Sequence, residues 1–218
     1  MTHVKVCGLT REVDVRLAVA LGAWACGFVL SASPRRVAPA RAARLARLAG
    51  PALTVAVVTT ESAAWIAAAL ADSALAAVQL SAGADGPTVA EVRAATGSRG
   101  LRPQILAAAD TPDADDADFA LFDARSPGVY GGSGMTLDWP TLAADLALDA
   151  DDTVSRRLVL AGGLVPDNVG EAITALSPYA VDVSSGVEFA DAPGRKDPDL
   201  LERFFAAVAA SRTAEVRP

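Results

Sequence analysis

Lysine is nearly absent from this sequence: Lys5 and Lys196 are the only two, and arginine carries the rest of the positive charge. Histidine occurs once, at His3, and cysteine twice, at Cys7 and Cys26. No His/Cys set of zinc-ligand spacing can be drawn from these residues, so no metal is expected. Two cysteines in 218 residues are also too few for a disulfide framework. They read as free thiols in a reducing, cytoplasmic setting. The opening Met1–Cys7 segment has no signal-peptide layout. Basic residues number 19 against 26 acidic ones, for a formal net charge of −7. Such a field does not draw in nucleic acid or an anionic membrane, so an anionic substrate must be held by local positive groups. Aromatics make up only 5%, which leaves the core to Leu, Val and Ala. Leu17 to Pro34 carries no charge, but Gly22 and Gly27 interrupt it and Ser31, Ser33 and Pro34 end it. A helix ending near Gly22, followed by a buried strand, accounts for this stretch better than a membrane span.

What is present is alternation. A hydrophobic content of 52% over 218 residues is enough for one large core. Strand-length apolar runs precede longer Ala/Leu/Arg segments of helical character, and the pattern repeats. Val4–Cys7 is followed by a helix with Thr10 as its N-cap, Glu12 and Asp14 in the first turn and Gly22 as its stop. Gly27–Leu30 pairs with Pro39–Leu48, Leu53–Val58 with Ser62–Leu70, and Ala76–Leu80 with Thr88–Thr96. Ile105–Ala107 is followed by an Ala/Asp/Pro-rich segment too short for a regular crossover helix. Phe119–Phe122 pairs with Trp139–Leu148, Leu158–Leu160 with Asn168–Leu176, and Tyr179–Val183 with Leu200–Ala210. Eight βα units without a linker-like break predict an α/β fold, a single (β/α)8 barrel over residues 1–218 with an eroded fifth unit. No G-x-G-x-x-G opens the first helix, which counts against a dinucleotide-binding open sheet.

Chemistry in such a barrel sits where the strands end. Strand one ends at Cys7, strand two leads into Ser33-Pro34-Arg35-Arg36, and strand six ends at Asp123 before the Gly-rich Tyr130–Gly134. Strand seven ends in Ala161-Gly162-Gly163-Leu164 and strand eight in Val183-Ser184-Ser185-Gly186. Loops after the last two strands commonly bind phosphate. Gly162, Gly163, Ser184, Ser185 and Gly186 suit that task, because glycine lets backbone N–H groups approach an anion. Cys26, among Trp24, Ala25 and Phe28, reads as core. Cys7 fits either inert core or a partly exposed thiol whose pKa its surroundings lower. Asp123, ending an apolar strand, reads as a cap or salt-bridge partner, or as a carboxyl pushed up by desolvation. Asp138 reads as the N-cap of the sixth helix. Arg35 and Arg36 read as solvated loop charges or as a pair that meets an anion at the barrel mouth.

These same residues carry a resemblance to the phosphoribosylanthranilate isomerases. Val4-Lys-Val-Cys-Gly-Leu-Thr10 resembles the family's opening motif, and Val181-Asp-Val-Ser-Ser-Gly-Val-Glu188 its last strand and loop. Gly27-Phe28, Ser33-Pro-Arg35 with Val37, Val78-Gln-Leu80, Leu121-Phe-Asp123, Gly131-Gly-Ser-Gly134 with Asp138-Trp139, Leu160-Ala-Gly-Gly-Leu164 with Pro166 and Asn168-Val169, Pro193-Gly194 and Lys196-Asp197 follow in family order. The resemblance implies a TIM barrel and a cofactor-free Amadori rearrangement in tryptophan biosynthesis. N-(5-phosphoribosyl)anthranilate would become 1-(2-carboxyphenylamino)-1-deoxyribulose 5-phosphate. It implies Cys7 as general base, Asp123 as general acid, and Arg35 as holder of the anthranilate carboxylate. It also implies Gly162, Gly163, Asp182, Ser184, Ser185 and Gly186 as substrate-binding residues.

This chain departs from the family at several places. Gln79-Leu-Ser-Ala82 stands where the family has Gln-Leu-His-Gly, and Thr59 or Thr60 stands where it has Asn. The loop before Ser33 is short, so Arg36 competes with Arg35 for the carboxylate role. The expected partner is a small-molecule substrate, with no nucleic acid and no membrane, and the expected state is a monomer or homodimer. The alternatives are a related sugar-phosphate isomerase barrel, which would put a carboxylate where Cys7 stands, or a catalytically inactive barrel acting as a binding subunit. An indole glycerol phosphate synthase would need a catalytic lysine inside the barrel, and only Lys5 and Lys196 exist.

Overall fold

The computed structural model describes residues 1–71, 73–108, 111, 114–123 and 157–214. Eight parallel strands close into a barrel in sequence order: β1 (His3–Val6), β2 (Ala25–Val29), β3 (Leu53–Val58), β4 (Ala77–Leu80), β5 (Gln104–Ala108), β6 (Phe119–Asp123), β7 (Leu158–Ala161) and β8 (Ala180–Val183). The ring closes between β8 and β1, where Lys5 lies opposite Asp182 and Val6 opposite Val183. Around it run α1 (Glu12–Ala20), α2 (Pro39–Ala46), α3 (Ala63–Ala71), α4 (Val89–Gly97), α5 (Val169–Leu176) and α6 (Pro198–Ala214). Between β5 and β6 the described residues carry only a 3-10 turn, Ala114–Asp116, which agrees with the eroded fifth unit. The expected helix Trp139–Leu148, the Gly131–Gly134 motif and Asp138 lie outside the described residues.

Local chemistry sets the helix ends. Thr88 caps α4 in a reciprocal box: its hydroxyl accepts from the Glu91 N–H at 3.1 Å, and the Glu91 carboxylate accepts from the Thr88 N–H at 2.9 Å. Thr10 does not cap α1 as expected. Its hydroxyl donates to the Gly194 carbonyl at 2.6 Å, and Arg11 takes the N-cap position without a side-chain bond. A long-range partner brought in by β8 and the segment after it thus outcompetes the local cap.

Strand alternation divides the core in two. One set, among it Val4, Val6, Phe28 and Leu160, packs between the strands and the helices, where it meets Leu45 of α2 and Phe204 of α6. The other set fills the barrel, with Ala25, Val55, Val57, Leu106, Leu121 and Val159 beside Cys7. At the N-terminal end of the strands a ring of aromatics closes the barrel. Trp24 meets Phe119 at 5.2 Å and Tyr179 at 5.3 Å between centroids, and His3 meets Tyr179 at 4.8 Å. This end is the structural one. Trp24→Ala is expected to lower stability by about 2–4 kcal/mol while leaving KM unchanged, a split that thermal melts and steady-state kinetics will read.

Candidate active site

At the opposite end, the strand termini enclose a cavity of about 470 Å³. Cys7, Gln79, Leu121, Asp123, Asp182 and the loops Gly162–Leu164 and Ser184–Gly186 line it. Cys7 and Asp123 thus open on one space. β7 and β8 separate the strands that carry them along the barrel's shorter arc, and the loops following β7 and β8 lie between base candidate and acid candidate.

The two loops fit closely. Gly162 and Gly163 have φ of +97° and +70°, which a side chain rarely adopts. A Cβ on Gly186 would overlap the carbonyl oxygen of Leu164, so only glycine lets the loops meet. Lys196 braces the last loop from behind: its ammonium donates to the Ser184 carbonyl and to Glu188 Oε1, both at 2.9 Å. Gly186→Ala is expected to force the loops apart and weaken product affinity about tenfold or more. Calorimetric titration of the folded variant checks this, and unchanged affinity would remove these loops from the binding site.

Cys7 sits just past β1, its N–H donating to the Val183 carbonyl at 2.8 Å. Of the two readings of Cys7 left open by the sequence, its burial is that of the core, with only 8% of its surface exposed. Burial pushes its thiol up rather than down, because the thiolate loses hydration; Lys5 and Lys196 pull the other way and Asp182 adds to the rise. Cys26 is fully core as expected, and burial pushes its thiol up to about 12.

Below Cys7, Lys5 is wholly buried in the barrel, its ammonium 2.6 Å from Asp182 Oδ2. Burial disfavours the ammonium, but Asp182 and Cys7 outweigh it and hold the lysine above its ordinary value. The second oxygen, Asp182 Oδ1, is buried without a hydrogen-bond partner, as is Gln79 Oε1. Both residues line the cavity, and a buried acceptor left unpaired is one that a ligand's hydroxyl or N–H can satisfy. Gln79 Nε2 donates to Ser81 at 2.9 Å, so the departure from the family's Gln-Leu-His-Gly supplies a partner for its neighbour.

Arg35 stands apart from this group. It grips Glu188 in a fork, Nη2 at 2.7 Å from Oε2 and Nε at 2.9 Å from Oε1, and that bonding holds the guanidinium above its usual value. Its stem lies over Gly8, where a Cβ would meet it at 2.6 Å. Arg36 is exposed and directs Nε to the Leu30 carbonyl at 3.0 Å. Burial opposes the charge on Glu188, but bonds from Arg35 and Lys196 outweigh it and keep the carboxyl below the ordinary range. Lys5, Gln79, Glu188 and Lys196 were not singled out as site residues from sequence. Lys5 shares strand parity with Cys7, which placed it on the inner face; the ion pair at Glu188 had no local signal.

Among the described residues no group of three or more His, Cys, Asp or Glu side chains gathers as metal ligands would. No helix among them is long and apolar enough to cross a membrane.

Residues 4–207 match the family model described as N-(5'phosphoribosyl)anthranilate (PRA) isomerase. A curated N-(5'-phosphoribosyl)anthranilate isomerase of Bordetella parapertussis is 43% identical, covering 95% of this chain and 95% of its own length. The crystal structure of phosphoribosyl anthranilate isomerase from Thermus thermophilus superposes with a TM-score of 0.75 at 34% identity, covering 96% of this chain and 99% of that one. A phosphoribosyl anthranilate isomerase in complex with reduced 1-(o-carboxyphenylamino)-1-deoxyribulose 5-phosphate gives a TM-score of 0.73 at 30% identity, covering 96% of this chain and 100% of that one. The closed barrel, its strand-end cavity and these matches agree: the chain belongs to the N-(5'-phosphoribosyl)anthranilate isomerase family.

Proposed function

We propose that this chain converts N-(5'-phosphoribosyl)anthranilate to 1-(2-carboxyphenylamino)-1-deoxyribulose 5-phosphate, the Amadori step of tryptophan biosynthesis. The observation that carries the reading is the single cavity into which Cys7, Asp123 and the two glycine-rich loops all open. The phosphate docks on Gly162, Gly163, Ser184, Ser185 and Gly186, where backbone N–H groups can approach it. Asp123 gives its proton to the furanose ring oxygen as the C1–O bond breaks, leaving a Schiff base. The Cys7 thiolate then removes the C2 proton, and the resulting enolamine tautomerises to the ketone. Asp182 Oδ1 accepts a sugar hydroxyl. Arg35 commits Nε and Nη2 to Glu188, which leaves Nη1 for the anthranilate carboxylate. Residues 1–218 act as one barrel domain, as a monomer or homodimer in the cytoplasm, on this small-molecule substrate and without a cofactor.

The test is direct. Enzymatically generated phosphoribosylanthranilate is fluorescent, and the purified chain is expected to abolish the signal at a rate proportional to protein. Growth of a tryptophan auxotroph lacking this step is expected on expression of the chain. No fluorescence loss and no growth, with folded protein present, would sink the proposal and leave the inactive-barrel alternative.

A further inference from the structure

A wholly buried cation, Lys5, lies in the barrel interior beside Cys7. Lys5 and Cys7 are two residues apart on β1 and its continuation, so both side chains project inward. Their functional atoms converge: a methyl on Gly27 of β2 would lie 3.0 Å from Cys7 Sγ and 3.3 Å from Lys5 Nζ. The absence of a side chain at Gly27 leaves the space that sulfur and ammonium share. Around the ammonium the inner lining is apolar, with Ala25, Val55 and Leu106 among it, so its charge is not dispersed by water. A buried ion pair is a weak source of stability, because losing hydration offsets the attraction. Its placement under the sulfur is therefore informative about chemistry.

We infer that Lys5 is a positioning residue for the base: its ammonium, anchored by Asp182 on the neighbouring strand, is the cation against which the Cys7 thiolate forms. This rests on the reading of Cys7 as base. The other charged groups that act on the sulfur are Asp182 on β8, Lys196 and Arg35 from the loops, with Asp123 on β6 acting on Asp182. Lys196 and Arg35 are tied to Glu188, Lys196 also to the Ser184 carbonyl, and Lys5 acts on the sulfur more strongly than Lys196 does. Lys5 donates to Asp182 at 2.6 Å, and Asp182 opposes the thiolate. Removing the two members of the pair must then move the sulfur in opposite directions.

The experiment is the pH dependence of iodoacetamide alkylation in a Cys26→Ser background, where Cys7 is the only thiol. Lys5→Met is expected to raise the pH at which Cys7 ionises by at least about one unit, a tenfold loss of thiolate at fixed pH. Asp182→Asn is expected to lower it, and Lys5→Arg to stay near the parent. The acid limb of kcat/KM should move with the alkylation curve in every variant that turns over. A Lys5→Met curve that coincides with the parent, or one displaced in the same direction as Asp182→Asn, overturns the inference. Should Lys5→Met not fold, because Asp182 is left buried and unpaired, Lys5→Met/Asp182→Asn is compared with Asp182→Asn alone. An upward displacement supports the inference and coincidence overturns it. Retained turnover in Cys7→Ser would instead sink the base assignment, and the titrations would still report on the pair.

Discussion

Cys7→Ser is expected to lower kcat by about 10²–10⁴-fold, the range over which a positioned general base acts, with product affinity nearly unchanged. The exchange is close to isosteric, so the cavity keeps its shape. The proton chemistry does not survive it. A serine hydroxyl is far less acidic than a thiol, and burial at this position already opposes the anion at sulfur. An alkoxide there would meet the same loss of hydration from a much worse starting point. The enclosure also fixes the sign of the pH effect. The thiol is held above its ordinary value, so kcat/KM should rise with pH until the thiolate predominates, and the rise should be absent from Cys7→Ser. Cys26 is the internal control, since its thiol at about 12 stays protonated; Cys26→Ser should alter thermal stability and leave rate alone. Near-normal kcat in Cys7→Ser would show that proton transfer uses another group.

The barrel was legible because parallel strands are buried on both faces and stand out as short, largely apolar runs between helical segments. Leu53–Val58 is read from sequence with the same ends as β3, and the eroded fifth unit, a 3-10 turn among the described residues, follows from a segment too short for a regular crossover helix. Ends set by distant partners were not legible. Thr10 has the chemistry of a cap, yet its hydroxyl serves a carbonyl 184 residues away. The site divides the same way. Strand-end position and glycine spacing singled out Cys7, Asp123 and the last two loops, and all of them line one cavity. The protonation preference of Cys7 stayed open in the sequence, because burial depends on how neighbouring strands pack around the sulfur. Arg35 reads as a solvated loop charge or as one that meets an anion at the barrel mouth. Only the fold brings Glu188, 153 residues away, against it.

Asp123→Asn is expected to lower kcat by about 10²–10⁴-fold as well, for a reason that separates it from Cys7→Ser. Asp123 ends β6 opposite Ala161 of β7, at the rim of the cavity and one strand from the Gly162–Gly163 turn. In the proposed reading the sugar phosphate is anchored on that turn and on Ser184–Gly186, which line the same cavity as this carboxyl. Furanose opening requires a proton at the ring oxygen as the C1–O bond breaks. An amide matches the carboxyl in size but has no acidic proton to give. Fold and product affinity should hold, because Asn preserves shape and can still form hydrogen bonds. The two variants should part on a substrate whose ring is already open. Asp123→Asn should recover much of its lost rate there, since the step that needs the acid has been bypassed. Cys7→Ser should recover nothing, since C2 still has to surrender its proton. Equal deficits for Asp123→Asn on the closed and open forms would mean that ring opening draws its proton from elsewhere.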